Sequence, residues 1–380
     1  MALSQVGLER LSTATTKKIG TSKNLIINGA FQIAQRNTTS TGEGMFTVDR
    51  FENVYSGVDE NPTQEQANVT SGGAYNSGFR KCFKITNGNQ TSGAGAADFI
   101  SVRTKLEAQS IANSGWNYTS ASSFITLSFW VKSSVAQNFY GYIRTYDGTA
   151  LNFPFETGSL TADTWTKITK TIPGNASLTF DNNNEKGLEI YISPFWGTDR
   201  TASSVTLNQW QGYSDSTRVP DYGSAMDDWY LTNNATFEVT GVQLEIGSVA
   251  TDFEHMSFTD ELLRCQRYFY MHASGAFDLS NTDRCPIGLG YGYTSTSGFL
   301  FITFPTQMRT DPSLYKVVGT DYFNFAYNNN NGYPNDISIN RVSSQVCELN
   351  FHTGSSWDQD SAGMFRTYNT AARVGFVAEI

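Results

Sequence analysis

Aromatic side chains are the residues of this sequence that point most directly to a ligand. Several of them lie on the polar faces of the predicted strands 124–133 and 138–148 or in neighbouring segments: Trp130, Tyr140, Tyr142, Tyr146 and Trp196. Apolar faces of sugars stack on such rings, and tyrosine adds a hydrogen-bonding hydroxyl. We therefore expect these rings to line a groove of one sheet. The alternative is that they pack against a second sheet or against another chain.

A second set of aromatic residues lies in predicted loops and strand ends of the C-terminal part. It consists of Tyr291, Tyr322 and Trp357. Their rings combine apolar area with a polar edge, which suits contact with a sugar or a protein. We treat them as further candidates for contact with a receptor.

Signatures of common enzymes are absent from the sequence. No GxSxG, HExxH or phosphate-binding loop occurs, and no GxGxxG follows a predicted strand. A carboxylate pair for glycoside hydrolysis is set by spatial distance rather than by a motif. One aromatic-rich loop therefore keeps a sugar-cleaving site open as an alternative, and it contains Asp215, Asp221, Asp227 and Asp228. We predict a protein that is not an enzyme.

The spacing of the histidines and cysteines gives little support for a metal site or for a reactive thiol. The three histidines are scattered, and the four cysteines are far apart without a zinc-binding pattern. We expect free thiols, with a bond between Cys265 and Cys285 as the alternative. We predict no cofactor, although a structural calcium near the first and the closing strand would suit carbonyl, Asn and Asp oxygens.

Composition restricts both the fold class and the partners. Charged residues make up 16% of the 380 residues, aromatic residues 14%, and the net charge is −9. Abundant Tyr, Phe, Thr, Ser and Asn indicate strands and turns. The absence of a basic run argues against nucleic acid, and no apolar run approaches a membrane span. Without an apolar leader segment, we expect synthesis in a cytoplasm.

Short strands recur roughly every dozen residues, separated by turn residues. The first candidates are residues 24–37, with an Asn-Gly turn, and 48–55. Regular short strands without a βαβ alternation predict an antiparallel β-sandwich or jelly roll. From about residue 273 the pattern starts again and predicts seven strands. The fold class is therefore mainly β, with a second β-sandwich at the C-terminal end.

The stretch from Thr236 to Tyr270 changes its periodicity partway. Apolar and polar residues alternate over 236–246, and this alternation shifts by one residue at Gly241. The shift predicts a bulged strand. Ser257 followed by Asp260 predicts the capped start of a helix. Four apolar residues then follow at the spacing of a coiled-coil seam: Phe258, Leu262, Cys265 and Phe269. We predict a helical junction over residues 257–272.

These observations divide the chain into four parts. Residues 1–23 form a polar arm that orders only against a partner, anchored by Leu3, Val6, Leu8 and Leu11. Residues 24–256 form a jelly roll, and residues 273–380 form a β-sandwich tip. The helical junction connects these two domains.

Several sequence blocks resemble tail fibres and related receptor-binding proteins of tailed bacteriophages. They are NLIINGAF, QRN and VDRF, then FWVKS and TWTKITKTIPG, and finally the segment FEVTGVQLEIGSVATDFEHMSFTDELLRCQRYF. The C-terminal FPTQMRTDPSL and FVAEI are similar to segments of the tip domains of those fibres. The resemblance covers roughly residues 24–380. The opening blocks are also similar to family-4-type carbohydrate-binding jelly rolls.

The resemblance implies a virion tail appendage that recognises the host cell surface. It implies a homotrimer, and the seam of the helical junction would supply the interface. It also implies that the N-terminal arm attaches to other virion tail proteins and that the distal part meets a host glycan or protein. A polysaccharide depolymerase and a purely structural head-decoration or tail-assembly subunit are the alternatives.

Overall fold

The computed structural model describes residues 23–275, 285–354 and 356–380, which form two compact units. Unit 1 contains residues 23–32, 39–44 and 51–256 of the described chain, and unit 2 contains residues 33–38, 45–50 and 257 onward. Two short segments of the predicted N-terminal jelly roll therefore belong to unit 2. Within the described ranges, no helix is long and apolar enough to cross a membrane.

Unit 1 is built from two antiparallel six-stranded sheets, with strands numbered in chain order. Sheet I has the spatial order β1 (Thr39–Ser40), β3 (Thr63–Asn68), β4 (Lys81–Thr86), β14 (Thr236–Ile246), β6 (Phe124–Ser133) and β9 (Thr166–Pro173). Sheet II has the order β12 (Gln211–Gly212), β8 (Leu151–Ser159), β7 (Asn138–Thr145), β10 (Lys186–Trp196), β5 (Phe99–Glu107) and β2 (Phe51–Ser56). A parallel pair joins β11 (Thr201–Ala202) to β13 (Val219–Pro220).

The two sheets of unit 1 pack face to face through the alternation that the sequence predicts. The inward residues of β6 are fully buried, and the Phe129 ring meets Phe155 of sheet II with centroids 6.2 Å apart. Phe139 of sheet II meets Phe237 of sheet I at 5.0 Å. The predicted mainly β, antiparallel sandwich is confirmed.

The opening segment of unit 1 departs from its prediction. No strand is assigned within residues 24–37, because Asn28 and Phe31 have φ angles of 61° and 54°, which interrupt extended backbone. The segment instead follows β14, with the Leu25 amide donating to Leu244 over 2.9 Å. The prediction of a strand there was wrong.

Among the described residues, the helices are short. They are α1 (Gly72–Asn76), α2 (Ala108–Ala112), α3 (Asp228–Leu231) and α4 (Phe258–Gln266), with 3₁₀ turns at Thr198–Arg200 and Gly223–Met226. The predicted cap of α4 is confirmed, because the Ser257 hydroxyl accepts a 3.1 Å hydrogen bond from the Asp260 amide. The helix ends at Gln266, so Phe269 lies on the next strand and not on the helix.

Unit 2 contains a three-stranded and a seven-stranded sheet. The first has the order β15 (Phe269–Ser274), β24 (Arg373–Val377) and β18 (Ser313–Val317). The second has the order β20 (Asn330–Gly332), β19 (Phe323–Tyr327), β23 (Ala362–Thr367), β16 (Pro286–Thr294), β17 (Ser297–Thr303), β22 (Val346–Thr353) and β21 (Pro334–Val342). Closely packed aromatic rings fill the core. The centroid of the Phe365 ring lies 4.4 Å from the centroids of both the Phe325 and the Phe351 rings. All four cysteines of the chain are free, as predicted.

Unit 2 also encloses a group of buried charged residues. Arg50 is 2% exposed and forms an ion pair with Glu379, and Arg36 pairs with the same carboxylate at 3.2 Å. The Arg36 guanidinium lies 3.6 Å from the centroid of the Phe269 ring, and the Arg50 guanidinium lies at the same distance from Tyr268. The segment 33–50 thus supplies cations to a carboxylate near the other end of the sequence.

Candidate functional site

The structure separates the aromatic residues that the sequence analysis grouped in one groove. Trp130 projects from β6 of sheet I, whereas Tyr140 and Tyr142 project from β7 of sheet II. Because β6 pairs with β14 and β9 and not with β7, the outward faces of the two strands lie on opposite sides of the sandwich. Trp130 does not share a groove with these tyrosines.

The aromatic residues of sheet II are covered by other parts of unit 1. Tyr142 is fully buried and stacks on Tyr191 at 4.3 Å, and Trp196 is 2% exposed. Tyr140 stacks on Tyr222 at 4.3 Å, a residue of the segment 197–231. Tyr146 is partly buried, and its hydroxyl donates to the Glu189 carboxylate. Tyr140, Tyr142 and Trp196 therefore present little ring surface to a ligand.

The three aromatic candidates of unit 2 differ in accessibility. Tyr291 is 41% exposed on β16, and Tyr322 is partly buried. Trp357 belongs to the core of unit 2 and contacts the Phe325 ring at 5.6 Å. Among these candidates Tyr291 presents the most open ring.

The residues predicted for an interface between chains also differ in accessibility. Phe258 is exposed and Leu262 is partly buried on α4, whereas Cys265 and Phe269 are fully buried within unit 2. Leu263, which lies next to Leu262, is exposed. The predicted docking residues Leu3, Val6, Leu8 and Leu11 lie outside the described residues.

One open cavity, of about 460 Å³, lies on the outward face of sheet I. We call it the Trp130 cavity. Its lining consists of Asn76, Ser77, Gly78, Phe79, Ser128, Trp130, Lys167, Gly241, Asp252, Phe253 and His255. Its volume falls within the range of small-ligand sites.

Strand β6 provides the floor of the Trp130 cavity. Ser128 and Trp130 are two residues apart and point to the same face, and Lys167 of β9 lies opposite Trp130 in the register. On the other side, the register of β14 against β6 shifts at the predicted bulge, where Gly241 has a φ of 64°. A side chain at Gly241 would collide with the Phe79 ring, because a Cβ there would lie 2.5 Å from Phe79 Cζ.

The wall of the cavity comes from the glycine-rich segment around α1 and from the connection after β14. Gly73 lies so close to Trp130 that a Cβ would approach its ring to 2.6 Å. The rings of Phe79 and Phe253 meet edge to face at 4.9 Å, and His255 lies within 5.1 Å of both. The His255 Nε2 atom lies 3.0 Å from the Ser77 carbonyl oxygen. These contacts fix the aromatic wall before any ligand enters.

The Trp130 cavity combines the faces of aromatic rings with hydrogen-bond donors and acceptors. Trp130 and Phe253 are partly buried, so part of each ring remains accessible. Lys167 supplies donors, Asp252 supplies acceptors, and Asn76 supplies both. An apolar stacking surface beside convergent polar groups suits a small polar ligand with flat apolar faces.

Sequence analysis identified Trp130 as a candidate but missed its neighbours in the cavity. His255 was noted only as one of three scattered histidines, and Phe79 and Phe253 were not singled out. The glycine-rich run ahead of Phe79 and the aromatic pair at 253 and 255 are the sequence signals that mark this wall.

Two side chains of the region considered for calcium, Asn24 and Glu254, accept hydrogen bonds from backbone amides. Asn24 Oδ1 accepts hydrogen bonds from the amides of Ile26 and Leu244, both at 3.0 Å. The Glu254 carboxylate accepts from the amides of Lys23 and Asn24 at 2.8 Å. Among the described residues, no group of three His, Cys, Asp or Glu side chains could hold a metal ion.

No protein-family profile and no curated protein matches this chain in sequence. Solved structures with partial similarity include the enzymatically active domain of tailspike protein 4 of bacteriophage CBA120, at 10% identity and a TM-score of 0.31. That match covers 59% of this chain and 22% of the tailspike chain.

Two further structures match a similar share of this chain. The N-terminal cellulose-binding domain of Cellulomonas fimi β-1,4-glucanase C has 9% identity, covers 57% of this chain and 97% of that domain, and has a TM-score of 0.26. The family 11 carbohydrate-binding module of cellulase Lic26A-Cel5E from Clostridium thermocellum has 10% identity, covers 58% and 98% of the two chains, and has a TM-score of 0.24. Similarity at this level assigns neither a family nor a ligand to this chain.

Proposed function

We propose that this protein is a carbohydrate-binding component of a bacteriophage tail appendage and that unit 1 holds a host glycan in the Trp130 cavity. The observation that carries the proposal is the cavity itself, in which the partly open Trp130 ring lies beside Lys167, Asp252 and Asn76. The assignment to a virion rests on the sequence blocks that resemble tail fibres. Attachment through residues 1–23 stays a prediction of that resemblance.

We propose a binding role without catalysis. Among the described residues that line the cavity, Asp252 is the only one with a carboxylate, whereas most glycoside hydrolases use two carboxylates. Incubation of the purified protein with host envelope polysaccharide tests this, because a depolymerase would create new reducing ends. A time-dependent increase in reducing ends would replace the binding role with the tailspike-like alternative.

Substitution of Trp130 tests the site. We expect Trp130→Ala to weaken binding of host polysaccharide fragments by at least about tenfold, or about 1.4 kcal/mol, because stacking area is lost while the strand remains. Isothermal titration with purified fragments measures this change, and competition of the free protein with phage adsorption links it to the host.

Tyr291→Ala is the matched control, since it removes an exposed ring from unit 2. We expect this variant to bind like the wild type. Loss of binding in Tyr291→Ala with normal binding in Trp130→Ala would place the glycan contact in unit 2 and contradict the proposed site.

A further inference from the structure

The outward side of sheet II contains three arginines that we call the arginine cluster: Arg144, Arg200 and Arg218. Arg200 and Arg218 directly precede the parallel pair β11 and β13, in which Thr201 lies opposite Val219, and the Arg218 amide donates to the Arg200 carbonyl over 3.0 Å. Both guanidinium groups approach the Phe99 ring, at 5.5 and 5.4 Å from its centroid. Two like charges therefore lie close to the same ring, an arrangement that is unfavourable unless a negative charge offsets it.

Arg144 joins the cluster through Tyr213. Its guanidinium lies 3.7 Å from the centroid of the Tyr213 ring, and the Tyr213 hydroxyl donates to Asp215 over 2.6 Å. Arg218 forms an ion pair with the same carboxylate at 3.0 Å. Burial and the hydrogen bond to Asp215 raise the pKa of Tyr213, and the charges of Arg218 and Arg144 oppose that shift. Arg144 and Arg218 thus both lie close to Tyr213.

Negative charge within the cluster does not balance the positive charge. Asp215 pairs with Arg218, whereas neither Arg144 nor Arg200 has an ion pair with any described carboxylate. Glu189 lies opposite Arg144 in the register of β10 and β7, but its carboxylate is bound by Lys186 at 2.9 Å and by the Tyr191 hydroxyl at 2.8 Å. Three cations and one anion leave an excess of two positive charges on a protein with a net charge of −9.

Unsatisfied polar atoms are concentrated at the same place. Six of the eleven buried side-chain polar atoms that lack a partner among the described residues belong to this side of sheet II: Tyr142 Oη, Arg144 Nε, Asn152 Oδ1, Arg200 Nε, Gln211 Nε2 and Arg218 Nε. Arg144, Asn152 and Gln211 form a row across β7, β8 and β12. The Tyr142 side chain is fully buried, and its ring lies 6.2 Å from that of Tyr213. Buried polar groups of this kind normally have partners.

We propose that the arginine cluster binds an anionic oxygen group, either a carboxylate, a sulfate or a phosphate. Guanidinium groups donate paired hydrogen bonds in a geometry that matches these three groups, and the Tyr142 hydroxyl adds a donor from below. Arg144, Arg200, Arg218 and Tyr213 are partly buried, which allows contact with solvent on the outer side. An acidic sugar, a sulfated sugar and a phosphorylated ligand each carry such a group. The site is separate from the Trp130 cavity, so it does not depend on the function proposed for that cavity.

Titration of the full chain with three simple anions tests the proposal. Sodium glucuronate, sulfate and phosphate are compared with sodium chloride at equal ionic strength, and binding is followed by isothermal titration and by the shift in melting temperature. We expect one of the three anions to bind with a Kd of about 1 mM or below, a range typical of a single small charged group. The anion that binds most tightly identifies the group as a carboxylate, a sulfate or a phosphate.

The variant Arg144→Gln/Arg200→Gln removes the two unpaired cations. We expect it to raise the Kd of that anion at least tenfold and to keep or increase the melting temperature in chloride, because no described ion pair is lost. Arg341→Gln, at an exposed position of unit 2, is the matched control for charge and should bind like the wild type. Arg200→Lys keeps the charge without the paired donors and is expected to weaken binding less than the double substitution does.

Two results would overturn the proposal. One is that none of the three anions binds more tightly than chloride up to 10 mM, a concentration about tenfold above the expected Kd. The other is that the double variant binds the anion as tightly as the wild type does. Trp130→Ala separates the two sites, since we expect this variant to retain the anion affinity whether or not it loses sugar binding.

Discussion

Asp49 is a carboxylic acid that is fully buried in unit 2. The Gln35 amide donates to its Oδ1 atom over 3.1 Å, and Arg36 approaches the same atom to 3.8 Å. Burial raises the pKa of Asp49 to about 6, although the Arg36 charge and the hydrogen bonds from Gln35 act in the opposite direction. Desolvation of the carboxylate therefore outweighs its favourable partners.

This shift predicts that Asp49 makes unit 2 less stable as the pH rises. The folded state holds the proton up to a pH of about 6, whereas the unfolded chain releases it near the ordinary aspartate pKa of 3.8. Between these values the folded state binds more protons, so the free energy of unfolding decreases with increasing pH, by at most about 3 kcal/mol. We expect Asp49→Asn to remove this decrease, measured by urea denaturation from pH 4 to 7.

The matched control for Asp49 is Asp311→Asn, which removes an exposed carboxyl group from the same unit. This control should keep the wild-type pH dependence. If the pH dependence of Asp49→Asn were the same as that of the wild type, Asp49 would not titrate in the proposed range.

At the scale of elements, the bulge of β14 shapes the Trp130 cavity. We expect Gly241→Ala to lower the free energy of unfolding by about 1–3 kcal/mol, because Gly241 has a positive φ and its new Cβ would press on the Phe79 ring. Chemical denaturation measures the change, and sugar binding should weaken as Phe79 moves.

Gly212→Ala is the control for this substitution. Gly212 also lies on a strand of unit 1, but a Cβ there would meet nothing within 4 Å. Equal stability of the two variants would show that the bulge tolerates a side chain and would remove the explanation for the glycine.

Strands with strict alternation were predictable from the sequence, whereas some strands with a weaker pattern were not. The bounds of β6 and β14 agree with the predicted 124–133 and 236–246, because every second residue of β6 is fully buried and Gly241 marks the slip. β5 and β8 were missed. The outward face of β5 carries Arg103 and Lys105, and β8 contains a proline and a glycine, which weaken the strand pattern.

The candidate site was predictable only in part. Strand pairing joins segments that are far apart in the sequence, and local patterns do not reveal which segments pair. Alternation places Trp130 on the outward face of its strand, but it does not determine which strands lie beside β6. The sequence therefore grouped Trp130 with Tyr142, although the two residues lie on different sheets. The partners of Trp130 in the cavity lie more than 50 residues before it, at 76–79, and between 37 and 125 residues after it, from Lys167 to His255.

At the scale of the whole molecule, unit 2 exposes apolar residues that suit contact between chains. Phe258 and Leu263 on α4 are 58% and 45% exposed. The seven-stranded sheet also exposes Leu289 and Phe301 on neighbouring strands β16 and β17. Clustered exposed apolar residues commonly mark interaction surfaces. These residues are candidates for contacts between chains, and the homotrimer stays a prediction of the resemblance.

Light scattering after gel filtration tests the trimer. We expect a mass of three chains of 42.0 kDa, and we expect Phe258→Ser/Leu263→Ser to reduce it to that of one chain. The variant Leu289→Ser/Phe301→Ser is compared with the α4 variant, because it removes exposed apolar area from the seven-stranded sheet and leaves α4 unchanged. A wild-type mass of one chain would contradict the trimer, and dissociation caused by the sheet variant alone would move the interface away from α4.

The buried ion pairs of Arg36 and Arg50 with Glu379 have a consequence for biosynthesis. Glu379 follows Arg36 by 343 residues and Arg50 by 329 residues. At about 5–20 residues per second, a ribosome adds the carboxylate roughly 20–70 s after the arginines. Until then Arg36 and Arg50 lack the Glu379 carboxylate, and the loss of one partner from a largely buried ion pair is strongly unfavourable. We therefore expect this part of unit 2 to stay open until residue 379 has been added, and to be accessible to proteases during that interval.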